Sequence, residues 1–369
     1  MRALVELIDK QQILNLVSAL NRKPDRVYFF YQEGQEGLLD NEVMRKYLEC
    51  PYENVLYTPD NLEEKLAEID ADEIEVDVHG GNDFAIAVVS RMSGPARMAL
   101  VYSGFTTKIM YRLEADDLIK EELYIPPLTV YEIVTLYGAS VRKLKEPVFE
   151  GKDRDAVRAC LWGRREHLDR WGDFCKKMAS IAQKNEGQTV WTAPENVRGE
   201  YRSIFNMLGP VFKRCEVSDK CLYLELANPE YRILVTDGGV PFEYETYYQM
   251  EDSGYFDDID VRVNIDWNGG EFEHNDPHSE LDVIATMDGR LISVSCKAGK
   301  YDQQAIYEVK TNAVKFGGEL AVPVLVTDYP VHHPEYIRKA EELGVLMIEY
   351  EDVRKERIAD IIKNWMKDH

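Results

Sequence analysis

The sequence predicts an α/β protein with an N-terminal Rossmann-like domain and a second, strand-rich domain towards the C-terminus. Strand-like and helix-like segments alternate over residues 1–112, and Asp288-Gly289 separates two alternating apolar and polar segments in the manner of a β-hairpin. The chain has 369 residues, of which 45% are hydrophobic. That length is typical of two or three domains, each with its own packed core.

The alternation in the N-terminal region predicts a parallel sheet with right-handed crossovers. Such a sheet binds its ligands at the carboxyl ends of its strands. The predicted strands are Ala3–Ile8, Arg26–Tyr31, Asn54–Tyr57, Ile74–His79 and Arg97–Tyr102, and the predicted helices are Gln12–Leu20, Glu42–Leu48, Leu62–Ile69 and Phe84–Arg91.

The remaining segments predict three regions: a first domain over residues 1–145, a helical linker region over 146–195 and a second domain over 196–369. A helix over Leu128–Gly138 closes the first domain, and a charged amphipathic helix over Asp153–Lys184 precedes a linker at Gln188–Val190. Strands are predicted from about Tyr223 onward, then at Leu320–Thr327 and Gly344–Glu349, with a final helix at Val353–Met366. The five arginines of the middle region form either substrate or interdomain contacts or a solvated helix face: Arg154, Arg158, Arg164, Arg165 and Arg170.

Composition excludes several classes of protein. The formal net charge is −23, which excludes a basic protein that coats nucleic acid non-specifically, because Lys and Arg contacts to phosphates supply that affinity. No apolar run approaches the length of a membrane helix. The six cysteines include no C-x-x-C pair, so neither a zinc ribbon nor a disulfide framework is indicated. We expect a cytoplasmic protein.

Two segments at strand ends of the first domain predict an anion-binding edge. Two glycines and a helix-capping asparagine follow the fourth strand in His79-Gly80-Gly81-Asn82-Asp83, a pattern that allows a phosphate to approach helix N–H groups. Asp9, Lys10, Gln11 and Asn15 follow the first strand and offer groups for a phosphate, a base edge or a ribose. The alternative is an ordinary strand-to-helix turn with a solvated lysine.

The hairpin at residues 280–297 brings polar side chains together. With Asp288-Gly289 as a type I′ turn, Met287 pairs with Arg290, Asp282 faces Ser295 and Glu280 faces Lys297. Side chains alternate along a strand, so these last four residues share one face. The opposite face is apolar and belongs in a core: Leu281, Val283, Ala285, Ile292, Val294 and Cys296.

Two carboxylates and a lysine within mutual reach are the groups that metal-assisted phosphodiester hydrolysis needs. Neighbouring carboxylates repel unless a cation lies between them, and a hard divalent ion prefers oxygen ligands. The ion polarises the phosphate and lowers the pKa of a bound water, and a lysine stabilises the developing charge. The alternative is the solvated polar face that any half-buried hairpin shows.

The sequence also resembles the CARF nucleases that are ancillary effectors of type III CRISPR systems. These proteins join a cyclic-oligoadenylate-sensing CARF domain to a PD-(D/E)XK, restriction-endonuclease-like domain with a mixed sheet. The C-terminal resemblance lies in Asp282 followed by Ser-Cys-Lys-Ala-Gly (295–299), Ala-Ile-Tyr (305–307) and Phe-Gly-Gly (316–318). The N-terminal resemblance lies in residues 7–15, Gly80-Gly81-Asn82 and the stretch from Leu128 to Gly138.

The resemblance implies a role for each catalytic candidate. Asp282 corresponds to the metal carboxylate and Lys297 to the catalytic lysine, with the backbone carbonyl of Cys296 as a further metal ligand. Glu243 resembles the helical acid that precedes the hairpin. Ser295 departs from the motif, which has Asp or Glu there, and Glu243, Glu280, Glu308 or a water would compensate. The implied cofactor is Mg²⁺ or Mn²⁺.

The resemblance further assigns Asp9, Lys10, Gln11, Asn15 and the loop His79–Asp83 to the activator pocket of a homodimer. The implied activator is a cyclic oligoadenylate, most often cyclic tetra-adenylate, and the implied activity is endonucleolytic cleavage of DNA or RNA in antiviral defence. Two other functions fit the residues: a regulatory protein with a degenerate nuclease domain, which Ser295 favours, and an unregulated restriction or repair nuclease.

Overall fold

The structure is a computed structural model that describes residues 1–39, 41–93, 98–114, 117–142, 149–267, 278–329 and 334–369. Two features of the sequence prediction, Arg97 at the start of the fifth strand and the domain boundary at residues 145 and 146, lie outside these ranges. Among the residues within them, no helix combines the length and apolar character needed to cross a membrane.

The N-terminal sheet has seven strands in the order β3-β2-β1-β4-β5-β6-β7. They are β1 (Arg2–Leu7), β2 (Arg26–Tyr31), β3 (Tyr52–Leu56), β4 (Glu73–Asp77), β5 (Met98–Gly104), β6 (Ile109–Glu114) and β7 (Asp117–Glu122). The first five are parallel, which confirms the Rossmann-like prediction, and β6 and β7 add an antiparallel edge that was not predicted. The strand order reverses between β1 and β4, so a ligand crevice is expected outside their carboxyl ends.

The helices of this domain are α1 (Gln12–Arg22), α2 (Glu42–Tyr47), α3 (Leu62–Ala67), α4 (Asp83–Ser93) and α5 (Val130–Leu136). A capping box fixes the start of α5, because the Thr129 hydroxyl accepts a hydrogen bond from the Glu132 amide and the Glu132 carboxylate accepts one from the Thr129 amide. The helix predicted from Leu128 therefore begins two residues later.

The middle region contains a small antiparallel sheet, which corrects two predictions. A short strand, β8 (Ser140–Arg142), precedes it, and its strands are β9 (Val190–Pro194), β10 (Phe212–Ser218) and β11 (Cys221–Leu226), in the order β10-β11-β9. The predicted linker at Gln188–Val190 thus runs into a strand, and strands begin well before Tyr223. The charged and exposed side chains of β10 hide its strand pattern.

The helices of the middle region are α6 (Arg154–Glu166), α7 (Leu168–Lys184), α8 (Asn196–Glu200), α9 (Arg202–Met207) and α10 (Arg232–Thr236). The single helix predicted over 153–184 is in fact α6 and α7, because His167 has a non-helical backbone with φ −135° and ψ 43°. Residues of both helices pack in one core with the C-terminal sheet, among them Cys160, Phe174 and Val294.

The C-terminal region forms a mixed six-stranded sheet, as predicted, in the order β16-β15-β14-β13-β12-β8. Its strands after β8 are β12 (Asp258–Asp266), β13 (His278–Met287), β14 (Arg290–Lys297), β15 (Val322–Thr327) and β16 (Leu346–Ile348). Its helices are α11 (Val240–Glu251), α12 (Gln303–Gly317), α13 (Pro334–Leu343), α14 (Tyr350–Arg354) and α15 (Ile358–Asp368). The predicted final helix is interrupted at Glu356, whose φ is +55°.

The two large sheets share a hydrophobic core. Leu16, Phe105 and Ile133 of the N-terminal region pack in the same cluster as Ile284 and Phe316 of the C-terminal region. The strand β8 also leaves the N-terminal region to pair with β12. The hairpin β13–β14 is therefore buried on both faces near its turn, with the second core on its other side. The polar side chains of Glu280, Asp282, Ser295 and Lys297 lie at its open end.

Candidate functional site

The hairpin forms in the predicted register from its turn to Val283, whereas the predicted pairs of Asp282 with Ser295 and of Glu280 with Lys297 are not part of the ladder. Asp288 and Gly289 have φ values of +52° and +69°, as a type I′ turn requires, and the ladder runs from Met287 opposite Arg290 to Val283 opposite Val294. Beyond Val283 the pattern changes, because Asp282 Oδ2 accepts hydrogen bonds from the Cys296 amide at 2.6 Å and from the Ser295 hydroxyl at 3.4 Å. The Asp282 carboxylate is thereby held between the separating strands.

A cavity of about 80 Å³ opens at this end of the hairpin, and it contains the main predicted catalytic pair. Asp282 and Lys297 line it together with Glu280, Ser295, Glu308 and Asn312. Cys296 behaves differently, since its side chain packs in the core and burial raises the pKa of its thiol well above the ordinary value. Its thiol is consequently a poor nucleophile.

Glu243 reaches the site through an arginine that sequence reasoning missed. Arg262 Nη1 lies 2.6 Å from Glu243 Oε2, and Arg262 Nη2 lies 3.1 Å from Glu280 Oε1. The available sequence signal was a single basic residue within the otherwise apolar and acidic strand β12. That signal gives no hint of which carboxylates the arginine contacts.

The carboxyl groups of the site are electrostatically coupled. Burial, followed by the nearby charge of Asp282, raises the pKa of Glu243 to about 8, although Arg262 opposes the shift. Burial also raises the pKa of Asp282, against the opposing effects of the Cys296 hydrogen bond and the Lys297 charge. Two acids that disfavour each other's ionisation form a site that would be stabilised by an added cation.

The donor chemistry fits a hard divalent ion, because Asp282, Glu280 and the Cys296 carbonyl all offer oxygen atoms. Within the described ranges, however, no three His, Cys, Asp or Glu side chains are grouped closely enough to hold a metal. Arg262 contacts two of the candidate carboxylates.

Behind Lys297, two arginines hold Asp328. The Asp328 amide donates to the Lys297 carbonyl at 3.1 Å, and its fully buried carboxylate pairs with Arg164 and, at 2.9 Å, with Arg165. Of the two interpretations offered for these arginines, the structure supports a contact between α6 and the C-terminal sheet. This contact fixes the end of β15 beside Lys297.

A second cavity, of about 550 Å³, lies outside the carboxyl ends of β1, β4 and β5. Gln11 and His79 are the predicted activator residues that line it, and the Gln11 side-chain oxygen is buried without a hydrogen-bond partner. Other lining residues escaped prediction: Tyr102, Ser103, Gly104, Phe105, Thr106, Thr107, Tyr111 and Leu320. All of these except Leu320 come from β5, β6 and the turn between them, and the sequence analysis identified neither this turn nor β6.

The other predicted residues of this edge are not among those that line the cavity. A Cβ atom on Gly80 would lie 1.7 Å from the Leu7 carbonyl oxygen, so only glycine allows the two strand ends to meet. Asn82 caps α4 by accepting a hydrogen bond from the Ala85 amide at 2.9 Å.

Asn15 is buried and donates to Glu6 at 2.7 Å. Asp9 accepts from the Gln11 amide, Gly81 adopts a φ of +80°, and Lys10 and Asp83 are exposed.

His79 is held beside this cavity in a position that favours its protonated form. Its Nδ1 lies 2.6 Å from Asp77 Oδ1 and its Nε2 lies 2.7 Å from the Ser103 carbonyl, so each N–H of a protonated ring has an acceptor. The Ser103 amide, 3.0 Å from Nε2, is a competing contact for the neutral ring. Burial lowers the pKa of His79, but Asp77 and the Ser103 carbonyl outweigh it and raise the pKa above the ordinary value. The ring stacks on Tyr102 with centroids 4.3 Å apart.

The turn of the hairpin touches the walls of this second cavity. Lys108 Nζ lies 2.7 Å from Asp288 Oδ1, and a Cβ atom on Gly289 would lie 2.8 Å from Ile125 and 3.3 Å from Phe105. Phe105 itself lines the cavity. The hairpin therefore contacts the N-terminal cavity at its turn and forms the carboxylate site at its open end.

Comparison by sequence finds a known domain in the C-terminal part. Residues 230–369 match the family described as Card1-like, endonuclease domain. That match contains Glu243 and both strands of the hairpin. No curated protein matches the chain.

Comparison by structure finds similar folds over nearly the whole chain. The protein VC1899 of Vibrio cholerae is 16% identical with a TM-score of 0.76, and the match covers 99% of this chain and 98% of the other. Can2 of Sulfobacillus thermosulfidooxidans, solved with cyclic tetra-adenylate, is 14% identical with a TM-score of 0.70 and coverage of 99% and 97%. A type III CRISPR defence DNA nuclease activated by cyclic oligoadenylate is 15% identical with a TM-score of 0.50, and the match covers 96% of this chain but 51% of that one.

These matches confirm the fold and the resemblance to CARF nucleases that the sequence analysis stated. The endonuclease family match supports nuclease activity in the C-terminal region.

Proposed function

We propose that this protein is a metal-dependent endonuclease whose cleavage of nucleic acid is switched on by a cyclic oligoadenylate. The observation that carries the proposal is the hairpin, which joins Asp282 and Lys297 at one end to the wall of the N-terminal cavity at the other. The match to Card1-like endonucleases supports the activity, and the cyclic tetra-adenylate bound to Can2 supports the class of activator.

At the cleavage site, Asp282, Glu280 and the Cys296 carbonyl would hold Mg²⁺ or Mn²⁺. Such an ion polarises a phosphate and lowers the pKa of a bound water. Lys297 lines the same cavity and would donate a hydrogen bond to a phosphate oxygen, which stabilises the negative charge that develops there. Glu308, from α12, lines the same cavity. It would supply the carboxylate that the motif has at the position of Ser295.

In the N-terminal domain, the groups around the cavity suit an adenylate. Both N–H groups of a protonated His79 already have acceptors, so it would attract a phosphate through its charge alone. Tyr102 offers an exposed aromatic face, and the unpartnered Gln11 oxygen would accept a hydrogen bond from an adenine amino group. A cyclic ligand with repeated units fits a two-fold axis, on which each subunit of a homodimer supplies the same edge. Cyclic tetra-adenylate would thus place two adenylates in each subunit.

The hairpin offers a direct route from the activator to the cleavage site. A ligand that moves the turn at residues 104–107 would shift Phe105, which is in contact distance of the hairpin turn at Gly289. Because the strands of the hairpin are packed on both faces, displacement of the turn is transmitted to Asp282 and Lys297. The activator must bind the shifted arrangement more tightly, since equal affinity changes no population.

The test is a cleavage assay on labelled single- and double-stranded DNA and RNA with Mg²⁺ or Mn²⁺, with and without cyclic tetra-adenylate. We expect cleavage that requires both the metal and the activator and that Lys297→Ala abolishes. No cleavage of any substrate, with calorimetric binding of the activator retained, would favour the regulatory protein. Cleavage that ignores the activator, with no activator binding, would favour the unregulated nuclease.

A further inference from the structure

Arg262 lies where the carboxylates of the cleavage site converge. Its guanidinium contacts Glu243 at 2.6 Å and Glu280 at 3.1 Å, and 10% of its side chain is exposed. Along β12 it falls opposite Asp282, between the pairs Val261–Val283 and Val263–Leu281. The Arg262 guanidinium therefore contacts the same carboxylates that would bind a divalent ion.

The backbone that presents this arginine is strained. Arg262 has a φ of +56°, a conformation that costs a non-glycine residue free energy and is maintained only where the surroundings require it. The strain has a structural consequence, because Val261 packs in one core and Val263 in the other, whereas residues two apart on a regular strand share a face. The irregular backbone aims Arg262 at the carboxylates.

We propose that Arg262 is a built-in counter-ion that competes with the divalent metal for Glu243 and Glu280 and must leave them before the metal binds. Glu243 and Asp282 disfavour each other's ionisation, and the arginine offsets part of this effect in the metal-free protein. The same charge disfavours metal entry, because a guanidinium and a divalent ion between the same carboxylates repel each other at short range. The enzyme thereby remains without metal until Arg262 is displaced.

This inference rests on the proposed metal site, and the experiment separates the two. Mn²⁺ binding to the full-length protein, without nucleic acid or activator, is measured by calorimetry and by the Mn²⁺ paramagnetic resonance signal for the wild type, Asp282→Asn, Arg262→Gln and Arg262→Lys. We expect Arg262→Gln to bind Mn²⁺ at least about tenfold more tightly than the wild type, which corresponds to about 1.4 kcal/mol. The compact charge of a lysine cannot bridge two carboxylates as well as a guanidinium does. The Mn²⁺ affinity of Arg262→Lys should therefore lie between those of the wild type and Arg262→Gln.

Arg154→Gln is the matched control, since Arg154 also bridges two acids, at 2.5 Å to Glu251 and 2.8 Å to Asp252, away from the cavity. Its Mn²⁺ affinity should equal that of the wild type. If Asp282-dependent binding is present but neither Arg262 variant binds more tightly, the counter-ion role is wrong and the metal site stands. If no variant shows Asp282-dependent binding, the metal site itself is wrong, and the counter-ion role falls with it. Arg262→Lys keeps the test decisive if Arg262→Gln fails to fold.

Discussion

Two substitutions at one position distinguish the catalytic role of Asp282 from its structural role. Asp282→Ala removes both the charge and the acceptor of the 2.6 Å hydrogen bond from the Cys296 amide. Asp282→Asn removes the charge but keeps a carbonyl oxygen that accepts the same bond. Both variants should lose at least about a hundredfold in cleavage rate, the lower range for deleting one group that stabilises a transition state.

The stabilities of the two variants should differ. A buried N–H left without an acceptor costs about 1–3 kcal/mol, so Asp282→Ala should be destabilised by that amount. With an unfolding entropy of about 2.1 cal/mol/K per residue, a chain of 369 residues should then melt about 1–4 °C lower. Asp282→Asn should melt at or above the wild-type temperature, because burial disfavours the Asp282 carboxylate and the neutral amide is cheaper to bury.

Thermal denaturation at neutral pH and a cleavage assay on the same preparations give both quantities. Ser295→Ala is the control, since it removes only the weak 3.4 Å contact to Asp282 and should leave the melting temperature unchanged. The reasoning is refuted if Asp282→Asn melts as low as Asp282→Ala, or if either variant cleaves at more than a tenth of the wild-type rate.

Three further predictions concern other positions. Lys297→Met should abolish cleavage while Mn²⁺ binding measured by calorimetry persists, and loss of both would contradict a role confined to the phosphate. Gly80→Ala, whose Cβ meets the Leu7 carbonyl oxygen, should raise the Kd for cyclic tetra-adenylate at least about tenfold, whereas Gly199→Ala, with no atom within 4 Å of its Cβ, should not. Activator affinity should fall as the pH rises through the raised pKa of His79, since the cation is present below that pKa. His79→Gln should flatten this dependence of affinity on pH. A flat profile for the wild type would exclude the His79 charge as a binding group.

The predictable parts of this structure are those fixed by local sequence. Alternating side chains and the Asp288-Gly289 turn determine the register of the hairpin, so the meeting of Asp282 with the Ser295–Lys297 segment follows from a few neighbouring residues. Alternation of strands and helices likewise determines the parallel sheet. These features depend on short-range geometry that no distant contact overrides.

The unpredicted parts depend on long-range placement. The contact of Arg262 with Glu243 requires α11 and β12 to pack side by side, and its left-handed backbone leaves no mark in the sequence. Residues 102–107 line the N-terminal cavity because β5 lies next to β4 in the sheet. The strand β10 is hidden since most of its side chains are charged or exposed.

The shared core also limits how this protein can be dissected. Ile284, Leu291 and Phe316 of the endonuclease region are covered by residues of the N-terminal region such as Leu16 and Ile133. A fragment corresponding to residues 230–369 would present these apolar side chains to water and is expected to aggregate. The N-terminal and C-terminal regions should therefore melt in a single calorimetric transition, and exchanging either for a relative's counterpart should require matching substitutions along their common boundary.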